Sequence, residues 1–151
     1  MTTQVASPVS LSRILEEGYG KGAWHGPDMK AALADVSPEL AFWRPAPGRH
    51  SIAEIALHHA FCVRSVRGKL SPAPVETFLV EMEDWFELSE KGGPTWSEIA
   101  KTVESEQRRL AAVVEKLEAD TERFDLVLGI TCHAVYHAGQ VQLVKRLRPG
   151  G

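Results

Sequence analysis

Two histidines, His133 and His137, stand four residues apart in the run Ile130-Thr131-Cys132-His133-Ala134-Val135-Tyr136-His137-Ala138-Gly139-Gln140. On a helix that spacing stacks both imidazoles on one face, one turn apart. At 100° per residue, Leu126, Ile130, His133, His137, Val141 and Val144 fall on a single stripe. The pair therefore sits within an apolar face, where burying two imidazoles is unfavourable unless their nitrogens find partners. A metal ion satisfies both, because neutral imidazole is a common ligand for zinc, nickel and iron. Backbone, water or a carboxylate can satisfy such a pair as well. The signal is weaker than an HExxH motif, since no glutamate follows the first histidine. A third ligand elsewhere in the chain would strengthen it.

The elements that must position such a pair read as helices. A helix is expected from about Ser10 through Leu11, Ile14 and Leu15, interrupted by Gly18, Gly20, Gly22 and Gly26-Pro27. Pro27 can open a second piece carrying Met29, Ala31, Ala32 and Leu33, the same bundle arm resumed. Trp24-His25 at the break is either a packing tryptophan with a surface histidine or part of a pocket. Ser37-Pro38 starts a short turn that ends at the proline-rich stretch from Trp43 to Gly48. Ser51 and Glu54 have capping-box spacing and open a long helix to about Leu70, stopped by Ser71-Pro72-Ala73-Pro74. Val75 to Val80 reads as a short strand or an irregular crossover, and Trp85 and Phe86 cover one end of the core. Thr95 and Glu98 cap a third long helix, with Trp96, Ile99, Val103, Leu110, Val113, Val114 and Leu117 at helical period. A fourth runs from about Phe124 to Leu147.

That last helix is apolar on its back as well, through Leu128, Cys132, Val135, Gly139 and Leu143. Either other parts of the chain cover this face, or a homodimer packs through it with Gly139 allowing close approach.

Composition narrows the function classes. With 44% hydrophobic and 25% charged residues among 151, one domain with a real core is expected over 1–151, with residues 1 to 8 loose. A net charge of -3 and no basic stripe argue against a nucleic-acid partner. No run reaches the roughly 18 apolar residues of a membrane span, and Met1 to Ser10 lacks signal-peptide character, so a cytoplasmic location is expected. Cys62 and Cys132 make no disulfide framework and read as reduced thiols.

The run Trp43 to His58, with Ser51 opening the second long helix and His58 seven residues on, together with His133-Ala134-Val135-Tyr136-His137-Ala138-Gly139-Gln140-Val141, resembles the DinB/YfiT-like proteins. That resemblance covers nearly the whole chain. It implies an all-α, up-down-down-up-type four-helix bundle with a long crossover between helices two and three. It also implies a divalent-metal site of His58, His133 and His137, three protein ligands with open positions as in catalytic sites. Periodicity of the second long helix centres closer to His59, whereas the family spacing from Ser51 selects His58 and leaves His59 as a core or interface histidine.

Zinc or nickel leads the metals, with iron and manganese as further candidates. Glu54, one turn before His58, can cap its helix or act in catalysis by orienting a ligand or moving a proton. Cys62 can be a fourth ligand or a buried thiol, and Gln140 can hold a water or substrate or bond across helices. By resemblance the expected activity is a metal-dependent transfer, using a low-molecular-weight thiol, or hydrolysis of small electrophilic molecules. The alternative is a non-catalytic, stress-associated dimeric module that binds a metal or small ligand.

Overall fold

The computed structural model describes residues 10–20, 22–81 and 85–150. The segment expected to be loose, residues 1 to 8, lies outside the described residues. Six helices and no strand occur among the described residues: α1 (Leu11–Glu16), α2 (Met29–Leu33), α3 (Pro38–Phe42), α4 (Ile52–Leu70), α5 (Trp96–Val114) and α6 (Thr121–Leu147). Val75 to Val80 is irregular, as one of the two sequence readings had it.

Side-chain caps set the helix starts. Ser51 and Thr95 each accept from the backbone N–H three residues on, and Glu54 and Glu98 reach back to close both capping boxes. Two starts differ from expectation by a few residues, because an aspartate satisfies the first free N–H groups. Asp28 accepts from Ala31 N at 2.9 Å, so α2 begins after Pro27 rather than at it. Asp120 accepts from Arg123 N at 2.8 Å, so α6 begins before Phe124.

Among the described residues three helices are long, α4, α5 and α6, and the first arm is interrupted at the glycines expected to break it. It is cut into α1 and α2 by a loop in which Gly20, Gly22 and Gly26 adopt φ of 95°, 65° and 128°, conformations closed to most L-residues. Asp28 closes this loop by also accepting from Gly20 N at 2.7 Å. Gly18 lets the end of α1 approach α6: a Cβ there would lie 3.0 Å from Ala134 Cβ and 3.3 Å from Thr131 O.

α4 packs against α5, α6 and α3, while α6 also carries α1 and α2. The core has two parts. One joins Ile52, Ile55, Leu57 and Ala60 to Phe86, Trp96, Ile99, Ala134, Ala138, Val141 and Val144. The other joins Val63 to Leu11, Leu15, Leu110, Val114, Val127 and Ile130. His58, His59, His133 and His137 fall where α4 and α6 pass from one part to the other.

The crossover between α4 and α5 is tied down by α4. Arg64 donates to Glu76 O at 3.0 and 2.7 Å, and Arg67 bridges Glu76 at 2.8 Å and the buried Glu106 of α5 at 3.0 Å. Phe78 packs on Phe61 and Phe86. Much of the back of α6 is left uncovered by the described residues: Phe124, Leu128, Tyr136, Leu143 and Leu147 are exposed, whereas Val135 is half-buried beside α1. Cys132 and Gly139 are exposed on the same side. Among the described residues no helix is long and apolar enough to cross a membrane.

Candidate metal centre

The first half of α4 is buried on every side: Ile52 through Ala60 are all buried. That is why periodicity could not separate His58 from His59, since both lie inside, at 6% and 0% exposure. Their directions differ. His58 Nε2 lies 3.2 Å from His133 Nε2. His137 Nε2 lies 3.1 Å from the same His133 nitrogen. The rings of His58 and His137 have centroids 5.0 Å apart, nearly edge-on. His59 instead offers Nδ1 to the other nitrogen of His133, Nδ1 to Nδ1, at 3.2 Å.

Cys62, one turn after His58, brings its Sγ to 3.8 Å from His58 Nε2. His58, Cys62 and His133 each present a ligand atom within 4.8 Å of the others, a group able to hold a metal ion. The spacing suits one: two imidazole nitrogens bound at about 2.0–2.1 Å to a common zinc stand about 3 to 3.4 Å apart.

Proton positions favour the same use. Gln140 Oε1 is 2.6 Å from His137 Nδ1, and Gln140 Nε2 donates to Tyr136 Oη at 3.2 Å. An amide oxygen accepts, so His137 carries its proton on Nδ1 and turns the Nε2 lone pair toward His133. Burial, then the charges His137 and His58 would carry, lower the His133 pKa to about 4. Burial likewise lowers His137, although its bond to Gln140 opposes the shift. Neutral imidazoles at neutral pH are what a metal requires.

Around this cluster stand groups the sequence did not reveal. Trp85 stacks on His58 at a centroid distance of 4.0 Å and 4° between planes, and on His50 at 3.8 Å and 8°. It walls the cluster rather than simply capping the core, while its neighbour Phe86 is the core residue. Neither partner was legible because Trp85 comes from the irregular crossover.

A profile of the DinB superfamily matches residues 23–141. The chain belongs to the DinB superfamily. No curated protein and no solved structure shows a significant match to it. For this DinB-superfamily chain, membership and the His/Cys cluster together fit a metal-dependent protein that takes a divalent ion.

Of the two further residues singled out from sequence, Gln140 bonds to the cluster and Glu54 is engaged elsewhere. Glu54 is 1% exposed, and its carboxylate is already occupied. It accepts from both terminal nitrogens of Arg44, from Leu88 N at 2.9 Å and from Ser51 N at 3.3 Å, with His50 Nδ1 at 3.1 Å. Burial pushes this carboxyl up, but Arg44, Leu88, His50 and Ser51 outweigh it and hold the pKa below the usual range. Gln140 touches His137 and Tyr136. Trp24 is 93% exposed, with only its backbone N–H held, by Glu17 Oε1 at 2.8 Å, so its side chain stands in solvent.

Proposed function

We propose that this chain is a divalent-metal-dependent enzyme, a thiol-dependent transferase or a hydrolase acting on small electrophilic molecules, with His58, His133 and His137 as its metal ligands. One observation supports the reading: His133 Nε2 lies 3.2 Å from His58 Nε2 and 3.1 Å from His137 Nε2, while the other nitrogen of His137 is engaged by Gln140. Zinc and nickel match three imidazoles best, with iron and manganese as alternatives. A divalent ion held by neutral ligands keeps its full charge and supplies Lewis acidity to a water, a thiol or a polarised substrate.

The chain's own residues do the rest. Gln140 fixes the orientation and proton of His137, acting as a positioning residue. Trp85 stacks on His58 and shields that side from water. Glu54 holds the start of α4, the segment from Arg44 and the backbone at Leu88 together, so that His58 and the crossover keep their places. Cytoplasmic surroundings would keep Cys62 and Cys132 reduced. In bundle terms α1 and α2 act as one interrupted arm on α6, completing an up-down-down-up arrangement with α4, α5 and α6. A second copy of the chain covers the exposed apolar back of α6, making a homodimer.

A second reading has its own support. Cys62 Sγ stands 3.8 Å from His58 Nε2, close to the separation expected when sulfur and nitrogen share one zinc. A sulfur added to three imidazoles closes a tetrahedral site, which is the layout of a binding or stress-associated module rather than of a catalyst.

Purification without an affinity tag, metal analysis and a screen of low-molecular-weight thiols against electrophilic acceptors test the proposal. The enzyme reading requires a bound divalent ion and a turnover that His133→Ala abolishes together with the metal. A metal-loaded chain inert across the panel favours the module, and a wild-type chain that takes up no metal overturns both.

A further inference from the structure

His59 is a poor core residue by every ordinary measure. It is fully buried on α4, and its Nε2 has no hydrogen-bond partner among the described residues. A leucine would fill the space without leaving a polar atom stranded. What His59 does make is one directed contact, Nδ1 to His133 Nδ1 at 3.2 Å. The planes of the two rings are inclined to one another by 21°. Their centroids are 5.4 Å apart, nearly the N···N distance plus the two ring radii. Each nitrogen therefore aims straight at the other.

That contact decides what His133 can do. Two neutral imidazole nitrogens this close are stable only if one carries a proton and the other accepts it. If His133 owns it, neutral His133 has a bare Nε2 facing His58 and His137. If His59 owns it, neutral His133 must carry its proton on Nε2, where no metal can then bind.

We infer that His59 is the positioning residue of His133: its Nδ1 accepts the His133 Nδ1 proton, locks the ring and leaves His133 Nε2 free for a divalent cation. Gln140 treats His137 in the same way from the other end of the cluster, with an amide oxygen in place of an imidazole nitrogen. The inference rests on the three-histidine reading of the site.

Zinc affinity by chelator competition tests it. His59→Leu removes the acceptor and keeps the bulk, whereas His59→Asn returns an amide oxygen close to where Nδ1 stood. The expected result is an about 10- to 100-fold loss of zinc affinity in H59L, recovered to within about threefold in H59N. A residue that only fills space would change thermal stability and leave the zinc affinity of the folded molecules alone. On wild-type, zinc-loaded protein labelled with 15N at histidine, a scalar coupling across the hydrogen bond should join the two Nδ1 atoms, with the proton on His133. This second measurement stands even if H59L does not fold. Unchanged zinc affinity in folded H59L, or no coupling in the wild type, overturns the inference. Failure of wild-type protein to bind zinc at all would instead remove the three-histidine reading.

Discussion

The Gln140 amide oxygen sits 2.6 Å from His137 Nδ1, while its amide nitrogen is anchored on Tyr136 Oη at 3.2 Å. A side chain three residues along α6 thus determines which nitrogen of His137 faces its neighbours. Gln140→Leu should leave the helices intact and weaken zinc or nickel binding by about 10- to 100-fold, as loss of such outer partners usually does. Gln140→Glu keeps an acceptor at the same place and should bind at least as well as wild type. Chelator competition on both variants checks the pair, and equal affinities in Q140L and wild type would remove Gln140 from the site.

Glu54 and Arg44 should matter to stability first. Arg44→Met leaves a carboxylate buried without its strongest partner, which costs about 3–5 kcal/mol in comparable pairs. Glu54→Gln sets an amide N–H against the Arg44 guanidinium and should cost about 1–3 kcal/mol. Denaturant unfolding gives these values. Metal affinity of the folded variants should change only a few fold. A stable E54Q protein with lost turnover would return Glu54 to catalysis.

Acid should destabilise the metal-free protein. Burial lowers His133 to about 4, and it pushes His59 and His137 down as well. In the unfolded chain each titrates at about 6.5. Below that value the unfolded chain binds more protons than the folded one, so this part of the stability is complete above about 6.5 and is lost as pH falls toward 4. Melting temperatures of apoprotein measured between these limits should drop steadily, and metal should leave over the same range. A flat profile would mean that these imidazoles are not held neutral.

Trp85 stacks on His58 with 4° between the planes, closer to the cluster than an incidental core residue would be. Copper or nickel should quench its fluorescence, and Trp85→Phe should abolish most of that quench while zinc affinity stays within a few fold. Quenching that persists undiminished in W85F would place the ion nearer another tryptophan.

The back of α6 should drive self-association. Leu143 is 58% exposed and Leu128 40%, and nothing lies within 4 Å of a Cβ placed at Gly129 or Gly139. Light scattering is expected to give twice the chain mass for wild type and the chain mass for Leu143→Glu. A wild-type monomer would contradict the dimer.

Much of this architecture was legible in the residues because it is local. Ser51, Glu54, Thr95 and Glu98 announce two helix starts through chemistry confined to four residues. The His133 and His137 spacing places both rings on one face of α6 without any tertiary knowledge. What depended on contacts between distant segments was not legible. The pairing of Arg44 with Glu54, the stacking of Trp85 on His50 and His58, and the use of His59 rather than solvent by His133 all join segments that periodicity treats separately. The uncovered back of α6 belongs to the same class, since an apolar stripe states that it must be covered but not by what.

X-ray absorption of zinc- or nickel-loaded, untagged protein tests the central claim most directly. The account predicts one divalent ion per chain with three imidazoles in its inner shell, and loss of that signal in His58→Ala, His133→Ala and His137→Ala alike. Sulfur scattering in addition would assign Cys62 to the site and favour the closed, binding arrangement. An ion with no imidazole neighbours, or full loading of the three alanine variants, would contradict the account.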